Sequence, residues 1–497
     1  MYIDHSEIEN FRTFRKSRID FCHADRDYRK LGLPPPAIPN VNLLLANNGL
    51  GKTTLLRAIA LAALGPAASL SGIFPYRLIR HEGGRKGKIN SAALRADFTT
   101  HPQDRAPVNT IESDVRVVAR GDLEVLEWGH KEDKAWHPVF SEKTDAFFMV
   151  GYGAGRRVGK QSRPEPVGKF SQRASRIMGL FEDDYTLRPL NAWLPKFRES
   201  SQLRGRHTQV VNLINRIIAQ TGWEFPGEQD KQGEYIMRRG RLEVPVPAMS
   251  DGYRAFLGWL GDLLFHVCET CPSGKKLVEN RGMVLVDEID LHLHPQWQME
   301  VISVLAQELP NIQFILTSHS PLVVGSLEWM NIIVMKADEN QASEAVRLAT
   351  PVHGLDADQI LLTEFFDLES TRAPGPLRRL KEVALKARAG DDAAADELLR
   401  LMSRGSEGRE TGAEMLEVPV YTVRPTRVPS LKQKPATQEV QQLRLEEPAS
   451  RYEGARPSAP ARKSPRPAAK KKIAPKPDST VKTAAKKAKP AKGRSRK

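Results

Sequence analysis

The sequence predicts an α/β fold built on a mainly parallel sheet, and three observations predict it. An apolar strand, Val41-Asn42-Leu43-Leu44-Leu45, runs into a glycine loop that opens a helix. A second apolar run, Gly282 to Val286, ends in Asp287-Glu288. A third, Ile312 to Leu316, follows a helix-patterned stretch, Gln296 to Gln307. Apolar runs without polar alternation are strands covered on both faces, and helices between them supply the cover.

The elements follow in chain order. Ile8 to Arg15 and Ile19 to Phe21 alternate loosely and read as short strands, and Pro34-Pro35-Pro36 marks a loop. Thr53 to Leu64 is a helix, stopped near Gly65-Pro66. Val115 to Val118 and Leu123 to Trp128 are strand-like pieces between polar loops, and Phe147 to Val150 is another. Residues 173–221 read as helical, with Val210, Val211, Ile214, Ile217 and Ile218 on one face. Residues 376–403 suggest two small helices around Gly390, and from Ser406 onward Pro, Arg, Gln and Glu indicate a linker. No sustained heptads occur between the glycine loop and the later runs, so no long coiled-coil arm is expected.

Charge is distributed unevenly. The 497 residues hold 75 Lys and Arg against 60 Asp and Glu, a formal net charge of +15. Residues 451–497 alone contain 17 Lys and Arg with two acids, Glu453 and Asp478, so the preceding 450 residues are formally neutral. That tail has one aromatic residue, Tyr452, and neither Leu nor Phe. It cannot bury enough apolar surface to offset chain entropy, and is predicted to be a disordered arm that contacts nucleic-acid phosphates. A solubilising extension with no partner is the alternative. Three cysteines argue against a disulfide scaffold and fit a reducing compartment, so a cytoplasmic location is expected. The first residues lack a signal-peptide pattern, and the most apolar stretch, Leu55 to Leu70, is interrupted by Arg57, Gly65 and Pro66, so no membrane segment is expected.

The candidate site lies in Ala46-Asn47-Asn48-Gly49-Leu50-Gly51-Lys52-Thr53-Thr54, which fits G-x-x-x-x-G-K-[ST] except for Ala46 in the first glycine position. The glycines let backbone N–H groups curl toward phosphate oxygens, and the helix N-terminus adds partial positive charge. Asn47, Asn48, Gly49, Gly51, Lys52, Thr53 and Thr54 are therefore assigned to a nucleoside phosphate, with Lys52 on the β- and γ-phosphates. The Thr53 hydroxyl and the Asp287 carboxylate suit Mg²⁺, and Glu288 suits polarising an attacking water. His319, after the Ile312 strand, is placed to hydrogen-bond a γ-phosphate. Ser250 and Gly252 precede an apolar helix and form a second anion-binding helix start. One nucleotide meets two distant helix starts when two chains close over it, which predicts an ATP sandwich between copies.

In this order the motifs resemble the ABC-type ATPase head of the RecF-like and SMC-like branch. Lys52 resembles the Walker A lysine, Asp287-Glu288 the Walker B pair, Met249-Ser250-Asp251-Gly252-Tyr253 the signature and His319 the switch histidine. Asp287-Glu288-Ile289-Asp290-Leu291-His292-Leu293-His294-Pro295 looks like the Walker B and D-loop of prokaryotic standalone ATPases. Val150-Gly151-Tyr152-Gly153-Ala154-Gly155-Arg156-Arg157, with Leu355 to Leu361 and Phe366 to Arg372, resembles the ATPase subunit of Septu-type antiphage systems, relatives of which accompany some retrons. The resemblance implies an ATP- and Mg²⁺-dependent ATPase, dimeric or of higher order, working beside a separately encoded HNH nuclease. It implies a division into residues 1–160 (N-terminal part of the head), 161–235 (helical insertion), 236–350 (C-terminal part of the head), 351–405 (helical segment) and 406–497 (linker and basic tail). No glutamine of the Q-loop kind falls in a clear motif, Gln161 and Gln172 being the two that follow the Phe147 strand. Too few residues follow position 350 for a Toprim domain, so no nuclease is expected in this chain.

Other features have competing readings. Cys268-Glu269-Thr270-Cys271 is a lone C-x-x-C with only His266 nearby. His292 and His294 belong to the D-loop pattern or, with Asp290, to a metal site. Arg156 and Arg157 contact phosphate or DNA, or sit in a solvated turn, and Arg12 lies near the nucleotide or at a strand edge. The competing functions are a RecF-like repair or chromosome-maintenance ATPase and a non-hydrolysing ATP-dependent scaffold that holds the tails on DNA.

Overall fold

The computed structural model describes residues 1–403 except 31, 33, 83–88, 131–133, 143–146 and 160–167. The predicted linker and basic tail, and Gln161, lie outside the described residues.

The first strands and helix are β1 (Tyr2–Phe11), β2 (Phe14–Asp20), β3 (Val41–Ala46) and α1 (Lys52–Leu64). Then come β4 (Ser91–Thr99), β5 (Thr110–Arg120), β6 (Leu123–Trp128), β7 (Met149–Tyr152) and the short β8 (Arg157–Val158). The middle of the chain holds α2 (Lys169–Ser175), β9 (Thr186–Leu187), α3 (Leu194–Glu199), α4 (Arg204–Ile218), β10 (Ile236–Arg239) and β11 (Leu242–Pro245). The second half of the head follows as α5 (Asp251–Thr270), β12 (Gly282–Val286), α6 (Pro295–Glu308), β13 (Ile312–Ser318), α7 (Pro321–Gly325), β14 (Ile332–Ala337) and β15 (Ser343–Val346). Three helices close the described part, α8 (Ala357–Leu361), α9 (Pro374–Arg388) and α10 (Asp392–Ser403).

Two sheets organise these elements. The central sheet has the order β15-β14-β3-β13-β12-β7 and is parallel apart from the β14–β15 pair. The other is antiparallel, in the order β2-β1-β4-β5-β6. The sequence reads as scattered short strands there, but β1 and β2 form one hairpin, with Phe11 opposite Phe14.

Alternation along β3 explains why it is buried throughout and, apart from Asn42, apolar. Val41, Leu43 and Leu45 enter one core with Phe314, Leu316 and α5. Leu44 and Ala46 face the other, with Leu55 and Ile59 of α1 and the antiparallel sheet. Successive strand residues point to opposite faces, so a strand between two cores has no solvent-facing side, and the one polar residue, Asn42, is paired with the Cys22 backbone at 2.7 and 2.8 Å. Gln313, fully buried on β13, joins the two sheets: its amide nitrogen donates to the Ile3 and Cys22 carbonyls at 2.9 and 3.0 Å, and its oxygen accepts the Ile3 N–H at 2.8 Å.

α1 is buried along nearly all its length. It and the following turn, Lys52–Leu70, form the one helix among the described residues that is long and apolar enough by composition to cross a membrane, and most of it is packed inside the fold. Gly65 ends it with φ +55°, where a side chain would meet the Trp136 ring at 2.6 Å.

Residues 173–221 are not helical throughout. Ile177, Leu180, Leu187, Leu190 and Leu194 mimic a helical stripe, but Gly179 packs against the Gly151 carbonyl and Pro189 lacks a donor, so 176–193 is turns, a short strand and a single 3-10 turn, Leu190–Ala192. The helices around Gly390 are α9 and α10, and Gly390 has φ +93° between them.

Candidate nucleotide site

The glycine loop lies between β3 and α1. Gly49 and Gly51 have φ +85° and +89°, a region that costs glycine nothing. A Cβ on Gly51 would sit 2.4 Å from Thr13 Oγ1 and 3.1 Å from the Phe14 ring, so the β1–β2 hairpin presses on the loop. Asn47 and Asn48 are exposed at its tip. Lys52 is buried and donates to the Ala46 carbonyl at 3.0 Å. Burial pushes its ammonium pKa down, while Asp287, Glu288 and Asp290 hold it up. Thr54 is buried beneath the loop.

Behind the loop stands the end of β12. Thr53 Oγ1 donates to one oxygen of Asp287 at 2.5 Å, and Thr317 Oγ1 donates to the other at 2.6 Å. Thr317 also accepts the Glu288 N–H at 2.7 Å. Glu288 has φ +50°, uncommon for a residue with a Cβ. The structure thus gives Thr317 a role that the sequence reading missed; the signal was its place at the end of a buried strand beside the Walker B strand. Asp290 has a buried carboxylate oxygen without a hydrogen-bond partner.

His319 follows β13 and is half-buried. Burial, then Lys52, push its pKa down, and Asp290, Glu288 and Asp287 partly offset this. Ser320 caps α7 and donates to Gln298 Oε1 at 2.7 Å, and Gln298 Nε2 donates to the Leu293 carbonyl at 3.0 Å. The loop carrying His319 and the segment after Glu288 are thereby joined, a link the sequence reading missed.

Ser250 is the exposed N-cap of α5. Gly252 lies in its first turn, and a Cβ there would sit 2.5 Å from the His292 carbonyl. Gly252 thus packs on the segment after Glu288.

Arg156 is not in a solvated turn. Its guanidinium donates to the Gly153, Asp287 and Glu288 carbonyls at 3.0, 2.6 and 2.8 Å. A cavity of about 840 Å³ opens beside it, lined by Arg156, Tyr235, Trp259, His292 and Leu293 among others; no glycine-loop residue lines it. Arg12 has φ +48°, and burial lowers its guanidinium pKa. Cys268 and Cys271 are free and buried, and no cluster of three His, Cys, Asp or Glu suited to a metal occurs among the described residues. Gln172 lies in α2.

The donor set fits Mg²⁺: a threonine hydroxyl and an aspartate oxygen, both hard ligands, meet beside the glycine loop.

Comparison with known proteins agrees with this arrangement. Residues 7–121 match a family described as "AAA domain", and residues 160–325 match one described as "AAA domain, putative AbiEii toxin, Type IV TA system". The chain is 23% identical over 381 residues to the Septu protein PtuA of Bacillus mycoides (strain KBAB4), covering 74% of this chain and 45% of that protein. It is 34% identical over 115 residues to the Retron Ec83 probable ATPase of Escherichia coli, covering 23% of this chain and 21% of that protein. The matches thus span less than half the length of these relatives. The SMC head domain from Thermotoga maritima aligns with a TM-score of 0.39 at 17% identity, over 70% of this chain and 100% of that one, too distant to add to the fold described above. Together with the strand, loop and helix that build the site, the two matches mark residues 7–121 and 160–325 as similar to AAA domains, and the chain as a whole resembles the Septu and retron-associated ATPases.

Proposed function

We propose that the chain binds and hydrolyses ATP with Mg²⁺, closes as a dimer over two nucleotides, and by closing and opening controls a separately encoded nuclease of the HNH type in defence against phage. The observation that carries the ATPase reading is the hold on Asp287: hydroxyls of Thr53 and Thr317 fix its two oxygens, and Thr317 also fixes Glu288 beside it. Names of the Septu and retron relatives support the defence setting.

In this reading the loop N–H groups and the Lys52 ammonium bind the β- and γ-phosphates. Thr53 and Asp287 hold Mg²⁺, which when bound neutralises charge on the phosphate oxygens. Glu288 orients the attacking water and takes its proton. His319 donates to the γ-phosphate and loses that partner when phosphate leaves. Ser250 and Gly252 of one copy meet the nucleotide on the other, since they form a second helix start suited to an anion, far along the chain from the glycine loop. Residues 451–497, with their excess of Lys and Arg, bind nucleic acid.

Glu288→Gln tests the reading. It should bind ATP, accumulate as a dimer by light scattering, and lose turnover by on the order of 100-fold, the usual scale for a removed general base. Wild-type turnover in this variant overturns the assignment. Co-expression with neighbouring genes tests the partner: a nuclease should co-purify, with cleavage that depends on the nucleotide state.

A further inference from the structure

The motif Gly151-Tyr152-Gly153-Ala154-Gly155-Arg156 has no part in the reaction as proposed above, yet two of its glycines, Gly153 and Gly155, lie against backbone carbonyls and the third against a leucine side chain. A Cβ on Gly151 would sit 2.6 Å from Leu180 Cδ1, one on Gly153 2.3 Å from the Gly179 carbonyl, and one on Gly155 2.6 Å from the Asp183 carbonyl. The motif therefore lies flush on residues 177–183, and Arg157–Val158 pairs with Thr186–Leu187 just beyond. This contact delivers Arg156 to one place.

There the guanidinium spans two consecutive carbonyls, those of Asp287 and Glu288, while a third bond to Gly153 anchors it to its own loop. A planar fork suits such a bidentate grip, and a lysine ammonium does not reproduce it. The gripped peptide is the one where the chain leaves β12 and enters the left-handed conformation of Glu288. The Glu288 N–H is held from the other side by Thr317. Main chain on both sides of the Glu288 Cα is thus fixed, which fixes the direction in which its side chain leaves the backbone.

We infer that Arg156 is a positioning residue for Glu288: it touches no substrate and sets the orientation of the group that activates water. The inference rests on the ATPase reading. The next residue, Arg157, is exposed and paired with Asp184 at 4.0 Å, outside the grip.

The test uses the full-length chain with Arg156→Gln, Arg156→Lys, Glu288→Gln and the double variant Arg156→Gln/Glu288→Gln. Arg156→Gln should lower kcat for ATP by about 10- to 100-fold, the range for residues that orient a reacting group through its support, with KM and ATP affinity within about threefold of wild type. Arg156→Lys should restore only part of kcat. The double variant should turn over no more slowly than Glu288→Gln alone, because Arg156 acts through Glu288. Wild-type kcat in Arg156→Gln overturns the inference, as does a double variant that loses the full product of the two single effects. If Arg156→Gln unfolds, the Lys variant carries the same kcat-against-KM comparison. No turnover by the wild-type chain removes the ATPase reading itself, which distinguishes the two failures.

Discussion

Thr317 and Asp287 are joined by a 2.6 Å hydrogen bond from the threonine hydroxyl to the carboxylate, while the same hydroxyl oxygen receives the N–H of the next residue, Glu288. One side chain on β13 thus ties together the ends of two neighbouring parallel strands. Thr317→Val keeps the shape and removes both bonds. It leaves a buried oxygen and a buried N–H unpaired, each costing about 1–3 kcal/mol. Melting temperature and ATP turnover should both fall, and Thr317→Ser should recover both. Unchanged turnover in the valine variant would separate Thr317 from the site.

Gly51→Ala combines a disfavoured φ of +89° with a methyl group 2.4 Å from Thr13 Oγ1. Either the loop or the β1–β2 hairpin must shift. The expected result is a loss of ATP affinity of at least about tenfold, read with a fluorescent analogue, since backbone N–H groups aimed at phosphate are displaced. Undiminished binding would show that the loop does not carry the phosphates.

His101 sets an acid limit on stability. Burial and then the N-terminal ammonium push its pKa down to about 4, with Asp104 and Asp25 offsetting part of the shift. The folded value lies below the ordinary 6.5, so on acidification the unfolded chain takes up the proton first. The stability from neutral His101 is present above about 6.5 and is lost as pH falls from there through about 4. Melting temperature should decline across that window, and His101→Gln should flatten the decline; an unchanged slope would exclude His101 as its source.

A chain ending at Ser450 should hydrolyse ATP like the full chain and hold nucleic acid less tightly, with a shallower dependence of log affinity on log salt. Equal affinity and slope would deny the tail a role in binding.

How much of this was legible in the sequence follows from distance along the chain. The phosphate loop was readable because strand, glycines, lysine and threonine are consecutive. The Asp287–Glu288 pair was readable because it ends an apolar run. Thr317 stands 30 residues from Asp287, and Arg156 stands 131 residues from it, so their bonds exist only once β7, β12 and β13 are side by side. Residues 176–193 misled because apolar spacing was helical while Gly179 and Pro189 served close packing and a turn.

The His292 carbonyl occupies the place a side chain on residue 252 would take. Within one chain, then, the start of α5 lies directly on the stretch that follows Glu288. In a pair of chains closed over two nucleotides, each ATP would rest on α5 of one copy and face Glu288 of the other. Loss of phosphate at one position would be felt at the second through this contact. If the chain closes as proposed, such a dimer would use its nucleotides in pairs, and one subunit unable to hydrolyse should slow its partner as well.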